Sequence, residues 1–212
     1  MSKITILPQP SKDVMKQMAQ SFKKTWQDMD IKGYSETVEQ QFKSTTICIH
    51  QEHQLVSHLD IIDSGKNHYS PITTLPAMIT FKDGSKKLFS RGIRNDKKEL
   101  NTFIRHYTPH YKQWGEGRLF YSSNPNHTQD LIRTGHQILC KKNWDGVFAL
   151  AENKTKMSNV LIKAGFSYKN NYIDSVIFLK GEFINNNKEI IKIPAFTRKN
   201  KLIEWKLFFL KK

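Results

Sequence analysis

Three of the eight histidines, His50, His53 and His58, fall within nine positions of one another, two residues past Cys48. Histidine and cysteine are the residue types that ligate soft metals or furnish a thiolate. Thr45–His50 is β-branched and strand-like, Gln51-Glu52-His53-Gln54 reads as a turn, and Leu55–Ile62 returns. A hairpin therefore brings the three imidazoles together. A structural zinc site needs a fixed ligand spacing and a completed ligand set. This hairpin offers neither, so no metal is expected. The other cysteine, Cys140, falls beside the apolar face of a helical stretch, with Gln137 and Lys141 as neighbours. It reads as a half-buried thiol rather than a nucleophile. Two cysteines make no disulfide framework, and a reducing cytoplasm is the expected compartment.

Charge narrows the partners. Lys and Arg number 34 against 19 Asp and Glu, a formal +15. Such an excess favours nucleic acid, the ribosome, an anionic membrane surface or a phosphate-rich cofactor. The alternative is a generally basic surface, since the lysines are spread along the whole chain. The densest run is Lys188–Lys212. No apolar run reaches the roughly 18 residues of a membrane span, and Met1-Ser2-Lys3-Ile4 leads to Pro8 and Pro10 without a signal-peptide core. A length of 212 residues suits one domain with an appendage. The expected division is 1–184 for the domain and 185–212 for a basic extension or final sheet element.

The elements that must position these groups follow from periodicity. Ser11–Asp28 carries Val14, Met18 and Phe22 at helical spacing, and Ser35–Lys43 forms a shorter helix. Leu75–Phe81 and Lys86–Ser90 flank Asp83-Gly84, a two-residue hairpin signal. Asp96 and Glu99 form a capping box ahead of an apolar face of Leu100, Phe103, Ile104 and Tyr107. After a turn at Trp114–Gly117, the chain reads strand (Arg118–Ser123), turn, helix (Thr128–Lys142), strand (Val147–Ala151), helix (Asn153–Ala164, closed by Gly165) and strand (Tyr172–Leu179). Strands alternating with helices of this length argue for right-handed crossovers onto parallel strands. Gly181–Asn187 is a loop or hairpin. Lys201–Leu210 is either a strand completing the sheet or a basic, aromatic surface helix.

This order, together with Ala149-Leu150-Ala151-Glu152-Asn153 leading to Leu161-Ile162-Lys163-Ala164-Gly165-Phe166, resembles the GNAT superfamily of acyl-CoA-dependent N-acyltransferases. The specific match covers about twenty residues and the looser one Asp13–Leu179. The resemblance implies an α/β (α+β) fold with a mixed, partly parallel central sheet and helices on both faces. It implies a V-shaped split between two parallel strands that receives acetyl-CoA or another acyl-CoA. Phe120, Tyr121 and Ser122 would pair with the pantetheine arm. Asn124, Asn126, His127 and Thr128 would face the pyrophosphate at a helix N-terminus, where free N–H groups and the helix dipole favour anions. Asn153 would border the split from the neighbouring strand.

The sequence departs from the family in two places. The turn Asn124–Gln129 has no glycine, and Pro125 removes one N–H donor. Side chains of Asn126, His127 and Thr128 would supply donors instead. Leucine stands at position 161, where many members carry a tyrosine that protonates the departing thiolate. Tyr121, Tyr168 or Tyr172 would substitute, or the thiolate would leave unassisted. The base for the amine would come from Glu116, His58, Asp60 or Glu152, with Glu116 the first choice. Three readings follow: an N-acyltransferase acting on an amine, with one attached to nucleic acid or the ribosome suited to the basic surface; a non-catalytic nucleic-acid-binding protein on the same scaffold; and a scaffold subunit without chemistry. Oligomeric state is not legible in the sequence.

Overall fold

The computed structural model describes residues 2–25, 29–30, 44–63, 75–90, 98, 114–168, 173–184, 188, 190–193 and 195–211. In chain order its elements are β1 (Lys3–Leu7), α1 (Lys12–Thr25), β2 (Met29–Asp30), β3 (Ser44–Gln51), β4 (Gln54–Asp63), β5 (Ala77–Phe81) and β6 (Lys86–Phe89). There follow β7 (Trp114–Ser122), α2 (Pro125–Lys141), β8 (Gly146–Glu152), α3 (Lys156–Lys163) and β9 (Ile173–Phe178). The last are β10 (Gly181–Ile184), β11 (Ile190–Ile193), β12 (Thr197–Arg198), β13 (Lys201–Leu202) and β14 (Trp205–Lys211).

Nine strands form one sheet in the order β1-β3-β4-β7-β8-β14-β9-β5-β6. β7 and β8 pair in parallel, joined through α2 in the βαβ manner. The other neighbours pair antiparallel. With α1 on one face and α2 and α3 on the other, this is the expected mixed, partly parallel sheet. The hairpin around Asp83-Gly84 forms as its sequence demands, with Gly84 at a φ of 83°. It docks on β9 at the far edge.

α2 seats its apolar face because Leu131, Ile138 and Leu139 recur at helical spacing. They meet Ile47, Ile49 and Ile61 of the sheet, with Trp144 and Val147 closing the cluster. Gly135 sits where the helix comes closest: a Cβ there would lie 3.4 Å from Leu59. On the opposite face Met15 and Met18 of α1 form a smaller cluster with Val14 and Leu55.

Several expectations change. Trp114–Gly117 is the first half of β7 rather than a turn. Gly115 is required by its neighbour: a Cβ there would come 2.4 Å from the Trp144 ring. α2 begins at Pro125 rather than Thr128, because Asn124 caps the helix and Pro125 occupies its first turn. α3 begins at Lys156, behind Thr155 as cap. Lys201–Leu210 resolves into strands, and β14 inserts between β8 and β9. Cys140 is exposed rather than half-buried, and Cys48 is buried. The expected helix at 35–43, that at 96–107 apart from Lys98, and Tyr172 lie outside the described residues.

Candidate functional site

The parallel pair is short. β7 and β8 are in register from Trp114↔Gly146 to Gly117↔Ala149, and beyond that point they separate. β7 stays with β4 as far as Ser57↔Ser122. β8 stays with β14 up to Glu152↔Trp205. The result is a seam that opens toward the C-terminal ends of two parallel strands. Glycines hold its base closed: Gly115 against the Trp144 ring, and Gly146 where a Cβ would fall 2.6 Å from the Leu210 carbonyl oxygen.

A bulge sits just above the base. Between the pairs Asp60↔Arg118 and His58↔Tyr121, β4 advances two residues and β7 three. The extra residue therefore belongs to β7, at Leu119–Phe120. Bulges bend a strand and re-aim its side chains. Here Phe120 packs into the α2-side cluster, while Tyr121 faces the other way. Its ring lies 5.7 Å from that of His58, centroid to centroid.

The α1-side face around Tyr121 is polar and dry. Cross-strand partners share a face, so the registers Thr46↔Asp60, Cys48↔His58 and Ile62↔Glu116 place Thr46, Cys48, His58, Asp60 and Glu116 together. All five are buried, with His58 and Asp60 at 0% exposure. Thr46 Oγ1 donates to Asp60 Oδ1 at 2.7 Å. Burial pushes the Asp60 carboxyl up to about 6, against hydrogen bonds from Thr46 and Ser44 that pull it down. Burial, reinforced by the Asp60 charge, pushes the Cys48 thiol up to about 12, so that sulfur is a neutral thiol at physiological pH. Among the described residues no group of three His, Cys, Asp or Glu side chains is placed to hold a metal ion.

At the mouth of the seam a hydroxyl network fixes the N-terminus of α2. The Asn124 side chain accepts from the His127 N–H at 3.0 Å, and the Asn124 carbonyl accepts from the Thr128 N–H at 3.2 Å. Thr128 Oγ1 donates to Ser122 Oγ, which in turn donates to the Asn124 carbonyl. The His127 ring is buried. Its Nδ1 lies 3.0 Å from Ser57 Oγ and 2.9 Å from Ser123 Oγ, and the Ser123 N–H donates to Ser57 Oγ. His127 thus ties α2 to β4.

The structure brings Phe120, Tyr121, Ser122, Asn124, Asn126, His127 and Thr128 to one strand end and helix start. Asn126 is exposed there, and Asn153 is exposed in the turn beyond β8. The three residues named for catalysis are not gathered in one place. Tyr168 stacks edge-on against Phe208, 5.7 Å between centroids, on the α3 side of the sheet. Tyr121 stands on the opposite side. Glu116 shares the face of Tyr121 but lies five residues below it, about 15 Å along the strand, where β7 and β8 are still paired. Glu152 is engaged by Arg198 at 2.9 Å. Ser57 and Ser123 carry no sequence signal of their own, and only the pairing of β4 with β7 joins them to His127. A signal did exist for the polar face: Thr46-x-Cys48 and His58-x-Asp60 alternate with Ile47-x-Ile49 and Leu59-x-Ile61. That period of two marks one polar side of a hairpin.

The site is thus a mixed sheet split between two parallel strands, with a helix starting at the mouth of the split. No family model and no curated protein sequence matches the chain. Among solved structures, FeeM, an N-acyl amino acid synthase from uncultured soil microbes, superposes with a TM-score of 0.55. That alignment spans 100% of this chain and 91% of FeeM at 12% identity. An acyl-CoA N-acyltransferase from Pseudomonas aeruginosa gives a TM-score of 0.47 at 11% identity, over 92% of this chain and 100% of its own. An acetyltransferase of the GNAT family from Streptococcus pneumoniae gives 0.47 at 9% identity, over 99% and 100%. The fold is that of the GNAT superfamily.

An acyl-CoA, the donor that the family resemblance implies, would meet residues that suit it unevenly. Beyond Gly117 the described part of β7 has no ladder partner on its β8 side, which suits an extended arm carrying amide groups. The pyrophosphate end is poorer. Of the first N–H groups of α2, Pro125 has none, and those of His127 and Thr128 are taken by Asn124. Asn126 is left as the exposed donor at that end.

Proposed function

We propose that the protein is an acyl-CoA-dependent N-acyltransferase that moves an acyl group from a thioester to an amine. One observation carries this reading: the seam between β7 and β8, opened by the bulge at Leu119–Phe120 and sealed at its base by Gly115 and Gly146. Acetyl-CoA or another acyl-CoA supplies a thioester carbonyl. The chain's own part is to hold the donor arm along Phe120–Ser122, polarise the carbonyl with backbone N–H groups near Tyr121 or Ser122, and keep water out. Asn124, Asn126, Thr128 and Asn153 border the donor's phosphates. FeeM, by its name, acylates an amino acid, which supports a small amine as acceptor here. Among the described residues no helix is long and apolar enough to cross a membrane, and the cytoplasm is the compartment we assign.

Thermal melting with acetyl-CoA tests the reading: a bound donor at a hundred times its Kd stabilises by about 2.7 kcal/mol. An unchanged melting temperature at millimolar acetyl-CoA, with no thiol released in the presence of amines, would reject it.

A second reading is a non-catalytic nucleic-acid-binding protein on the same scaffold. The +15 charge and the occupied cap of α2 favour it. Electrophoretic mobility shifts across a salt series would then show DNA or RNA binding that weakens steeply as salt rises.

A further inference from the structure

Resting on the acyltransferase reading, we propose that His58 is the general base that takes the proton from the acceptor amine. Three features set it apart from the other carboxylates and imidazoles. It stands in direct register with Tyr121, on the stretch of β7 that has left β8. The bulge at Leu119–Phe120 lies between this pair and the next and turns Tyr121 onto the face of His58. And His58 belongs to a dry polar row in the middle of a sheet whose other face is aliphatic at the same strands. Burying polar groups costs stability unless they are compensated, and such groups concentrate at sites of function. Glu116 fails the first test, since it sits where β7 and β8 are still joined, and Glu152 is held by Arg198.

Among the described side chains, the titratable groups on the face of His58 are Cys48 from β3, Asp60 from β4, and Tyr121 and Glu116 from β7. From α1, which crosses this face, the buried residues are Met15, Met18 and Ala19, while Lys12, Asp13 and Lys16 are exposed. Thr46 holds the Asp60 carboxyl, making Asp60 a positioning residue for the charge in this row. In the reaction the imidazole takes one proton from the ammonium group of the acceptor and passes it on to solvent. The neutral nitrogen then bonds to the thioester carbon, and the carbon–sulfur bond breaks as the nitrogen's second proton goes to the departing thiolate, giving amide, free thiol and one proton in solution.

The experiment uses the full chain, acetyl-CoA as donor, and propylamine or hydroxylamine as acceptor, with thiol release as the readout. Propylamine is an ammonium ion at neutral pH and needs a base, whereas hydroxylamine is already neutral. In H58Q, kcat with propylamine should fall by about 10²–10⁴, and kcat with hydroxylamine by far less. In the wild type, the propylamine rate should fall on the acid side of the pH profile through one ionisation that the hydroxylamine rate lacks. Independently of turnover, imidazole ¹⁵N NMR of the protein with CoA should show the His58 ring shifting on addition of propylamine but not of matched potassium chloride. Equal losses for both acceptors, or an unshifted His58 ring, overturn the proposal while leaving the acyltransferase reading standing. Wild type that neither melts higher with acetyl-CoA nor consumes it overturns both. Should H58Q fail to fold, the wild-type pH profiles and the NMR shift decide alone.

Discussion

The hairpin of β3 and β4 shows two faces built to different purposes. Toward α2 it presents Ile47, Ile49, Leu59 and Ile61, packed on Leu131, Ile138 and Leu139. Toward α1 the same two strands present Thr46, Cys48, His58 and Asp60, equally buried. One residue's shift along a strand separates the two sets. The first face supplies hydrophobic stabilisation, roughly 25 cal/mol for each Å² of apolar surface removed from water. The second gives part of it up. A protein that needed only a stable sheet would have filled both faces with aliphatic side chains. The second face borders the stretch of β7 that parts from β8, so the sacrificed stability lies next to the opening.

The comparison can be tested from the strongest side to the weakest. Leu131→Ala removes a fully buried side chain from the aliphatic face and should cost about 2–5 kcal/mol in urea denaturation. A cost under about 1 kcal/mol would mean this face is not the stabilising one.

Asp60 tests the polar face through pH. Its folded-state value of about 6 lies above the ordinary carboxylate value of 3.8. The folded state therefore binds the proton more tightly than the unfolded chain does. The group's contribution is fully present below about pH 4 and is lost as pH rises through about 6, a change of about 3 kcal/mol. Asp60→Asn should flatten stability between those limits, with the largest gain over wild type at pH 7. A variant whose stability follows the wild-type pH curve would show that Asp60 is not strained by its burial.

Gly115→Ala drives a methyl group into the Trp144 ring and should cost about 1–3 kcal/mol. It should also weaken the stabilisation by acetyl-CoA, because it spreads the base of the seam. Asn124→Ala removes the cap of α2 and should cost about 1 kcal/mol. That effect should be independent of pH between 5 and 8, unlike that of Asp60.

Much of the architecture was legible because it is local. The helical spacing of Leu131, Ile138 and Leu139, the Asp83-Gly84 turn and the β-branched run before His50 each specify their element without help. Asn124-Pro125 reads as a turn because both residues favour turns. The same pair is also a cap followed by a first-turn proline, and only the continuation of the helix back to it decides between the two. Trp114–Gly117 misled for a related reason. Two glycines in four residues punctuate a chain in isolation, yet here both lie within a strand, and Gly115 lets β7 approach Trp144. The candidate site was least legible. Its residues come together through strand register and a bulge, and neither is written in any one segment. His58 opposite Tyr121, or Ser57 beside His127, becomes visible only when β4 lies on β7.

The position of β14 has a consequence for synthesis. It lies in the middle of the sheet, antiparallel to both β8 and β9, yet it follows both in the chain. A ribosome that has released β8 and β9 but still encloses Trp205–Lys211 holds two hydrophobic strands with exposed edges facing an empty slot. Unpaired edges of that kind are templates for pairing with other chains. Closure of the sheet waits for those seven residues, which makes the time between the appearance of Phe178 and of Lys211 the interval in which the nascent protein is most exposed to misassembly.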